Sequence, residues 1–228
     1  MKCKVAAIDG SGQGVCIQGD LPEIGPGEVL VRVKASLISP GTELGRVLAM
    51  RKHPNTNHEP RPFGYANSGV IERVGAEVEQ FAVGQGVACM GGGYALHADW
   101  VNMPQNMCVA IPEGLGFAEA AAVHLAATGL HAVRRTAPVF GENGVVVGLG
   151  LVGQFAAQFA QLSGCHIQGV DHFALRQNIA RKIGIESVVD AKKDDPIEQA
   201  AIFSAGYGMD FGIVAFGGEA TAAFEKIY

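Results

Sequence analysis

Gly144-Val145-Val146-Val147-Gly148-Leu149-Gly150-Leu151-Val152-Gly153 is the stretch on which the reading of the fold depends. Its run of β-branched valines has the character of a buried strand, and it leads straight into G-x-G-x-x-G. Behind it, Gln154-Phe155-Ala156-Ala157-Gln158-Phe159-Ala160-Gln161-Leu162 is apolar and helix-forming. Gly164 ends that segment, and Cys165-His166-Ile167-Gln168-Gly169-Val170 reads as a second strand closing on Asp171. The glycines of such a unit have separate tasks. Gly148 permits a tight turn, Gly150 lets the backbone approach a pyrophosphate, and Gly153 lets helix and strand pack closely. Leu149, Leu151 and Val152 complete the loop, and the helix start presents free N–H groups and partial positive charge to the phosphates. Asp171 stands eighteen positions beyond Gly153, where this fingerprint places an acid for the ribose hydroxyls. With 32 glycines in the chain, the motif alone would arise by chance. The order strand, glycines, helix, strand and terminal acid makes it specific, against the alternative of a glycine turn that holds no ligand.

The bulk properties limit the alternatives. A chain of 228 residues, 48% hydrophobic and 17% charged, buries a real core as one large or two smaller domains. A net charge of −5 argues against a nucleic-acid or anionic-membrane surface. No apolar run reaches the roughly 18 residues that span a bilayer, and Met1-Lys2-Cys3-Lys4 opens no signal-peptide core. The five cysteines (Cys3, Cys16, Cys89, Cys108, Cys165) form no C-x-x-C pair, which fits reduced thiols and a cytoplasmic location.

The chain divides into two halves. Residues 3–9 and 14–18 around Asp9-Gly10-Ser11-Gly12 predict a β-hairpin. Glu28–Ala35 predicts a half-buried strand, with Val31, Val33 and Ala35 alternating against Arg32 and Lys34. A turn at Ser39-Pro40-Gly41-Thr42-Glu43 starts a short helix near 44–49, residues 51–62 read as a loop, and 67–74 as a strand. Gly75, Gly84, Gly86 and Gly91 to Gly93 punctuate further short strands, as in a glycine-rich barrel or partly open barrel. Residues 116–135 turn helical, with a break expected near Thr128-Gly129. Strands at 145–149, 165–171, 187–190 and 210–215 then alternate with helices at 152–163, 173–183, 195–204 and 219–227. That alternation predicts an α/β, doubly wound parallel sheet.

These motifs resemble the medium-chain dehydrogenase/reductase superfamily, the zinc alcohol dehydrogenase and quinone reductase fold. The resemblance is carried by Gly25-Pro26-Gly27-Glu28-Val29-Leu30-Val31-Arg32-Val33, Gly84-Gln85-Gly86-Val87-Ala88, Ala98-Asp99-Trp100-Val101, Ile111-Pro112-Glu113-Gly114-Leu115 and the GLGLVG fingerprint. It implies a GroES-like β-barrel catalytic domain over 1–125 and a Rossmann dinucleotide-binding domain over 126–228. That second domain is incomplete at its C-terminus, since members of the superfamily run on by about a hundred residues; the chain reads as a fragment or a truncated product. Zinc-binding members carry a Cys-Gly-Thr-Asp-like turn and Gly-His-Glu-x-x-Gly. Here the matching runs are Ser39-Pro40-Gly41-Thr42-Glu43 and Gly64-Tyr65-Ala66-Asn67-Ser68-Gly69, and His124 stands near the third ligand position. One candidate histidine does not make a three-ligand site, so no zinc is expected.

The resemblance implies hydride transfer between a nicotinamide and a carbon centre, with a protein group handling the proton. Thr42 matches a proton-relay hydroxyl or is a turn residue bonding its own backbone. Tyr65 is an oxyanion donor or a barrel-core residue, and His124 an acid/base or a helix-packing side chain. Thr128 matches a position touching the nicotinamide. Phe216 flanks the ring or belongs to the core. Asp171 favours NAD; Arg176 either receives the 2′-phosphate of NADP or lies on a solvated face. Glu43 could pair with a basic neighbour or with the cleft, while His97, Cys89 and Cys165 read as structural. The expectation is a zinc-independent NAD-dependent oxidoreductase of a small alcohol/carbonyl substrate, a homodimer if full length, without nucleic-acid or membrane partners. The alternatives are an NADPH-dependent enone or quinone reductase and a non-catalytic dinucleotide-binding remnant.

Overall fold

The structure is a computed structural model and describes residues 2–21, 23–55 and 57–217. The helix expected at 219–227 lies outside them. The chain divides into two compact units, Met1–His124 and Leu125–Tyr228.

The first unit is built from two antiparallel sheets. β1 (Lys2–Ile8) and β2 (Gly14–Asp20) form the expected hairpin, and β4 (Arg61–Pro62) pairs with the end of β1. The hairpin turn is fixed by Asp9, whose Oδ1 accepts hydrogen bonds from the Ser11 and Gln13 amides at 2.8 and 2.9 Å. The second sheet has the order β7-β3-β5-β6-β8, with β3 at Glu28–Ser36, β5 at Ala66–Val74, β6 at Gly86–Met90, β7 at Trp100–Pro104 and β8 at Cys108–Ala110. An isolated bridge between Val5 and Ala98 links the hairpin to the segment that leads into β7. The core of this unit is the alternating inner face read from the sequence: Val29, Val31, Ile71, Val87 and Met103 are fully buried while Arg32 and Lys34 face water. Two refinements concern the segment expected to be a loop at 51–62. The helix α1 (Gly45–Lys52), which follows a π-helical turn at Pro40–Leu44, continues to Lys52, and Arg61 and Pro62 join a sheet.

The link contains α2 (Phe117–Ala120) and α3 (Val123–Thr136). The break expected at Thr128-Gly129 is instead at Ala121-Ala122, and α3 runs unbroken through Gly129. The reason is packing. A Cβ at Gly129 would come within 2.9 Å of the Ala156 backbone nitrogen, so this glycine is there to admit a neighbouring helix. Tertiary contact outweighs its local cost of about 1 kcal/mol.

The second unit is a parallel sheet of order β11-β10-β9-β12, with β9 at Asn143–Val147, β10 at His166–Asp171, β11 at Ser187–Asp190 and β12 at Phe211–Val214. The helices α4 (Leu151–Leu162), α5 (Ala174–Lys182) and α6 (Pro196–Phe203) alternate with the strands. Consecutive strands build outward from β9 on one side, and the chain then crosses to place β12 on the other. This reversal of strand order is the topological switch point of a doubly wound sheet, outside whose carboxyl ends ligands bind. The core is made of Val146, Leu149 and Ile167 against Ala156, Ala157 and Ala160 of α4. The small residues on one face of α4 bring that helix close to the sheet.

Candidate functional site

The fingerprint loop leaves β9 two residues earlier than the sequence predicts, and Gly148 shows why. Its φ is +95°, a conformation available to glycine and costly for other residues, so the strand ends at Val147 and the chain turns. The Gly148 amide donates to the Val170 carbonyl at 2.8 Å, which fixes the turn to β10. A Cβ at Gly153 would collide with the Gly148 carbonyl oxygen, so the start of α4 is seated directly on the loop. At Gly150 an added Cβ would meet nothing within 4 Å. The middle glycine is therefore not required by packing. It leaves an open backbone at the helix N-terminus, where amides and partial positive charge suit a phosphate. Leu151 beside it is exposed and Val152 half-buried.

Asp171 closes β10 with its side chain only 2% exposed. Its Oδ2 accepts from the Leu149 amide at 2.7 Å and from Arg176 Nη1 at 3.3 Å, and its Oδ1 accepts from the Phe173 amide at 2.8 Å. Burial alone would raise its pKa. The two backbone donors and the Arg176 guanidinium outweigh burial and hold the carboxyl below the usual range. Leu149 is buried and spends its amide on Asp171, so it shapes the loop from within. Arg176, whose side chain is 39% exposed, also lies 4.7 Å above the Phe173 ring, and Lys192 lies 5.9 Å from the same ring. Phe216, just past β12, is 40% exposed, and its Cβ would be 3.2 Å from a Cβ at Gly148. It therefore stands at the carboxyl edge beside the first glycine.

Two residues missed by sequence reasoning complete this site. Gln154 Nε2 donates to the carbonyls of Leu149 and Arg176, at 3.1 and 2.9 Å, and Gln177 Nε2 donates to the Asp171 carbonyl at 2.9 Å. They tie the loop to α5. The available signal was a glutamine directly after the last glycine, in an otherwise apolar first helical turn.

In the first unit, Tyr65 and His124 come together. Their rings meet edge to face, with centroids 5.1 Å apart, and burial lowers the His124 pKa below its ordinary value. Thr128 is exposed one helical turn beyond His124, and Thr42 is exposed on the π-helical turn. Single π turns of this kind recur at functional positions.

Beneath Thr42, Glu43 is buried and does pair with a basic neighbour. Its Oε1 lies 3.1 Å from His97 Nε2, and its Oε2 accepts from the Ser39 amide at 2.7 Å; His97 Nδ1 lies 2.9 Å from Ser36 Oγ. A carboxylate can only accept, so Nε2 donates to Glu43, and in the neutral ring Nδ1 accepts from the Ser36 hydroxyl. His97 thus has a defined task, holding the turn that carries Thr42. Among the described residues, no three His, Cys, Asp or Glu side chains are grouped to hold a metal ion, and the runs matching the zinc-ligand motifs offer Pro40 and Tyr65.

A GroES-like barrel followed by a dinucleotide-type parallel sheet defines a class of two-part dehydrogenases. The alcohol dehydrogenase GroES-like domain family matches residues 25–133, and the zinc-binding dehydrogenase family matches residues 152–226. The chain belongs to the medium-chain dehydrogenase/reductase superfamily. The sorbitol dehydrogenase of Bacillus subtilis (strain 168) is 28% identical over 218 residues, covering 83% of this chain; the chain spans 62% of that relative's length. An alcohol dehydrogenase from Thermus sp. ATN1 shares the fold with a TM-score of 0.84 at 20% identity, over 98% of this chain and 74% of its own. A Sinorhizobium meliloti 1021 protein, a candidate zinc-binding dehydrogenase solved with NADP bound, gives a TM-score of 0.83 at 21% identity, over 97% of this chain and 72% of its own.

Proposed function

We propose that this chain is the core of a zinc-independent oxidoreductase that transfers a hydride between NAD(H) and a small alcohol or carbonyl substrate. The observation that carries the reading is the division of labour among the three glycines: Gly148 is needed for its positive φ, Gly153 for close packing, and Gly150 for neither. Open backbone at Gly150, at the start of α4 and at the switch point of the sheet, fits a dinucleotide pyrophosphate. Gly150, Leu151, Val152 and Gly153 would hold the phosphates, Asp171 and Arg176 the ribose, and Thr128 and Phe216 the nicotinamide end. The bound nicotinamide supplies or accepts the hydride.

The proton is left to the protein. Tyr65 would donate its hydroxyl hydrogen to the substrate oxygen as negative charge develops there. His124, kept neutral near pH 7 by burial, would replace that proton through its ring nitrogens, and the Thr42 hydroxyl would relay one. The donor set supports zinc independence, because proline, tyrosine and a single histidine do not build a three-ligand site. The partners proposed are a small-molecule substrate and, for the whole protein, a second copy of the chain. Neither nucleic acid nor membrane fits a net charge of −5, and no helix among the described residues is long and apolar enough to cross a bilayer. Free cysteines throughout the chain are consistent with work in the cytoplasm.

A second reading, an NADPH-dependent enone or quinone reductase, is favoured by one observation. The Asp171 charge is already neutralised by Arg176, and Lys192 adds a second cation at the Phe173 ring. Fluorescence titration of the metal-free protein with NADH and NADPH separates the two. NADH binding at least tenfold tighter supports the first reading, and the reverse supports the second. Binding of neither would mean that this chain carries no formed cofactor site, and would overturn both readings for it.

A further inference from the structure

Cys89 and Cys108 are nineteen residues apart and no motif links them, yet the fold sets them directly opposite each other on β6 and β8. The register fixes their geometry. The Ile111 amide donates to the Gly86 carbonyl at 3.0 Å, which makes Gly86 and Ile111 a hydrogen-bonded pair of the antiparallel ladder. Pairs alternate along such a ladder, so Cys89 and Cys108, three steps further, form a non-hydrogen-bonded pair. In that kind of pair the Cα atoms approach to about 4.5 Å and the side chains lie closest. This spacing is inside the range a disulfide spans without backbone movement, about 4.4–6.8 Å. The thiols are already in contact, with Sγ to Sγ at 3.9 Å.

We propose that Cys89 and Cys108 are an oxidisable dithiol, a modification site that hydrogen peroxide or another two-electron hydroperoxide oxidant closes to an intrasheet disulfide. The two thiols differ in the way such chemistry requires. Cys89 is buried among the apolar residues of the barrel core, whereas Cys108 is partly exposed on the last strand of the sheet. Contact with Cys89 lowers the Cys108 pKa, while the same contact and burial push Cys89 up. Cys108 is therefore the thiolate that an oxidant meets first. Its sulfur attacks one peroxide oxygen, the O–O bond breaks, and hydroxide leaves to give a sulfenic acid. The Cys89 sulfur then displaces that oxygen as water, forming the S–S bond. Two thiols and one peroxide become one disulfide and two waters.

The bond would tie β8 to the end of β6 that supports Tyr65, since the Gly91 amide just beyond β6 donates to the Tyr65 carbonyl at 3.0 Å. Cys3, Cys16 and Cys165 provide the internal comparison, being free thiols elsewhere in the fold.

The test is peroxide titration of the whole reduced chain, followed by intact mass and non-reducing peptide mapping. The expected result is loss of two hydrogens with a linked peptide joining Cys89 to Cys108, reversed by dithiothreitol. Iodoacetamide on the unoxidised protein should label Cys108 at least tenfold faster than Cys89. In the Cys108→Ser variant the linked peptide and oxidation at Cys89 should both be lost, because the attacking thiolate is gone. Peptide mapping of the unsubstituted chain decides the matter even if that variant fails to fold. Oxidation confined to Cys16 or to links between chains, or a Cys89–Cys108 bond that appears only after denaturation, would overturn the proposal.

Discussion

The buried Glu43–His97 pair gives the sharpest prediction, because its three hydrogen bonds can be removed and restored separately. Both side chains are nearly inaccessible, at 6% and 7% exposure. Glu43→Ala leaves the His97 Nε2–H and the Ser39 amide without acceptors, each at about 1–3 kcal/mol, and opens a void in a packed turn. The two orphaned donors and the void together cost about 3–5 kcal/mol. At roughly 3–4 °C per kcal/mol for a unit of this size, the first thermal transition, followed by circular dichroism, should fall by roughly 9–20 °C. Glu43→Gln should not have this effect. Its amide oxygen keeps the Ser39 bond. Its NH2 can donate to His97 Nε2 if the ring proton moves to Nδ1, where the Ser36 hydroxyl becomes the acceptor. A loss of about 1 kcal/mol, or roughly 3–4 °C, is expected. Adding His97→Phe to Glu43→Ala should recover about half the loss, because an aromatic ring keeps the edge contact with Phe63 and carries no unpaired N–H. If Glu43→Ala melts within about 3 °C of the unsubstituted chain, or if Glu43→Gln falls as far, the hydrogen-bond account is wrong.

Three further outcomes follow from the second unit and the link. Gly150→Ala should leave the melting temperature nearly unchanged yet weaken dinucleotide binding about tenfold, or about 1.4 kcal/mol. Gly153→Ala should destabilise the fold itself by about 2 kcal/mol or more through the clash with the Gly148 carbonyl. Equal effects of the two on stability would refute the assignment of roles. Asp171 has a lowered folded pKa, so its contribution is complete above the unfolded value near 4 and is lost as pH falls through the folded value. Acid titration of stability should therefore show an acid-side slope that Asp171→Asn flattens. His124 also has a lowered pKa, but as a base it acts through the proton that the unfolded chain takes up more readily. Stability should decline as pH drops below about 6.5, and the His124 imidazole signal in NMR should titrate with a midpoint below that value. A midpoint above it would remove the burial argument.

The parts of the fold that were legible in the sequence depend on neighbours close in the chain. Valines before glycines, an alanine-rich helix and a terminal acid are local patterns, and a periodicity of two or 3.6 reports which face is buried without needing a partner. Gly129 marks the boundary of that information. As a local signal it reads as a helix breaker, and only the backbone of α4, some 27 positions away, explains why a glycine continues the helix there. The Glu43–His97 bond spans 54 positions and joins two turns, while the Cys89–Cys108 contact spans 19 and depends on sheet register; composition encodes neither.

Asp171 carries this furthest. Its spacing proposes it as a ribose ligand; its contacts make it the clamp that holds the Leu149 amide, and with it the glycine loop, to the end of β10. The two roles make different demands on a substitution. Asp171→Ala would abolish dinucleotide binding under either one, since it removes the acceptor from the ribose and releases the loop together. Asp171→Asn separates them. Its amide oxygen can still accept from Leu149, preserving the loop at a cost of about 1 kcal/mol, while its lost charge frees Arg176 from its ion pair. If the carboxylate selects the cofactor, the variant should keep its fold and shift preference toward NADPH by about tenfold, or about 1.4 kcal/mol. If the residue serves only as the clamp, NADH and NADPH binding should fall together, in proportion to the loss of stability.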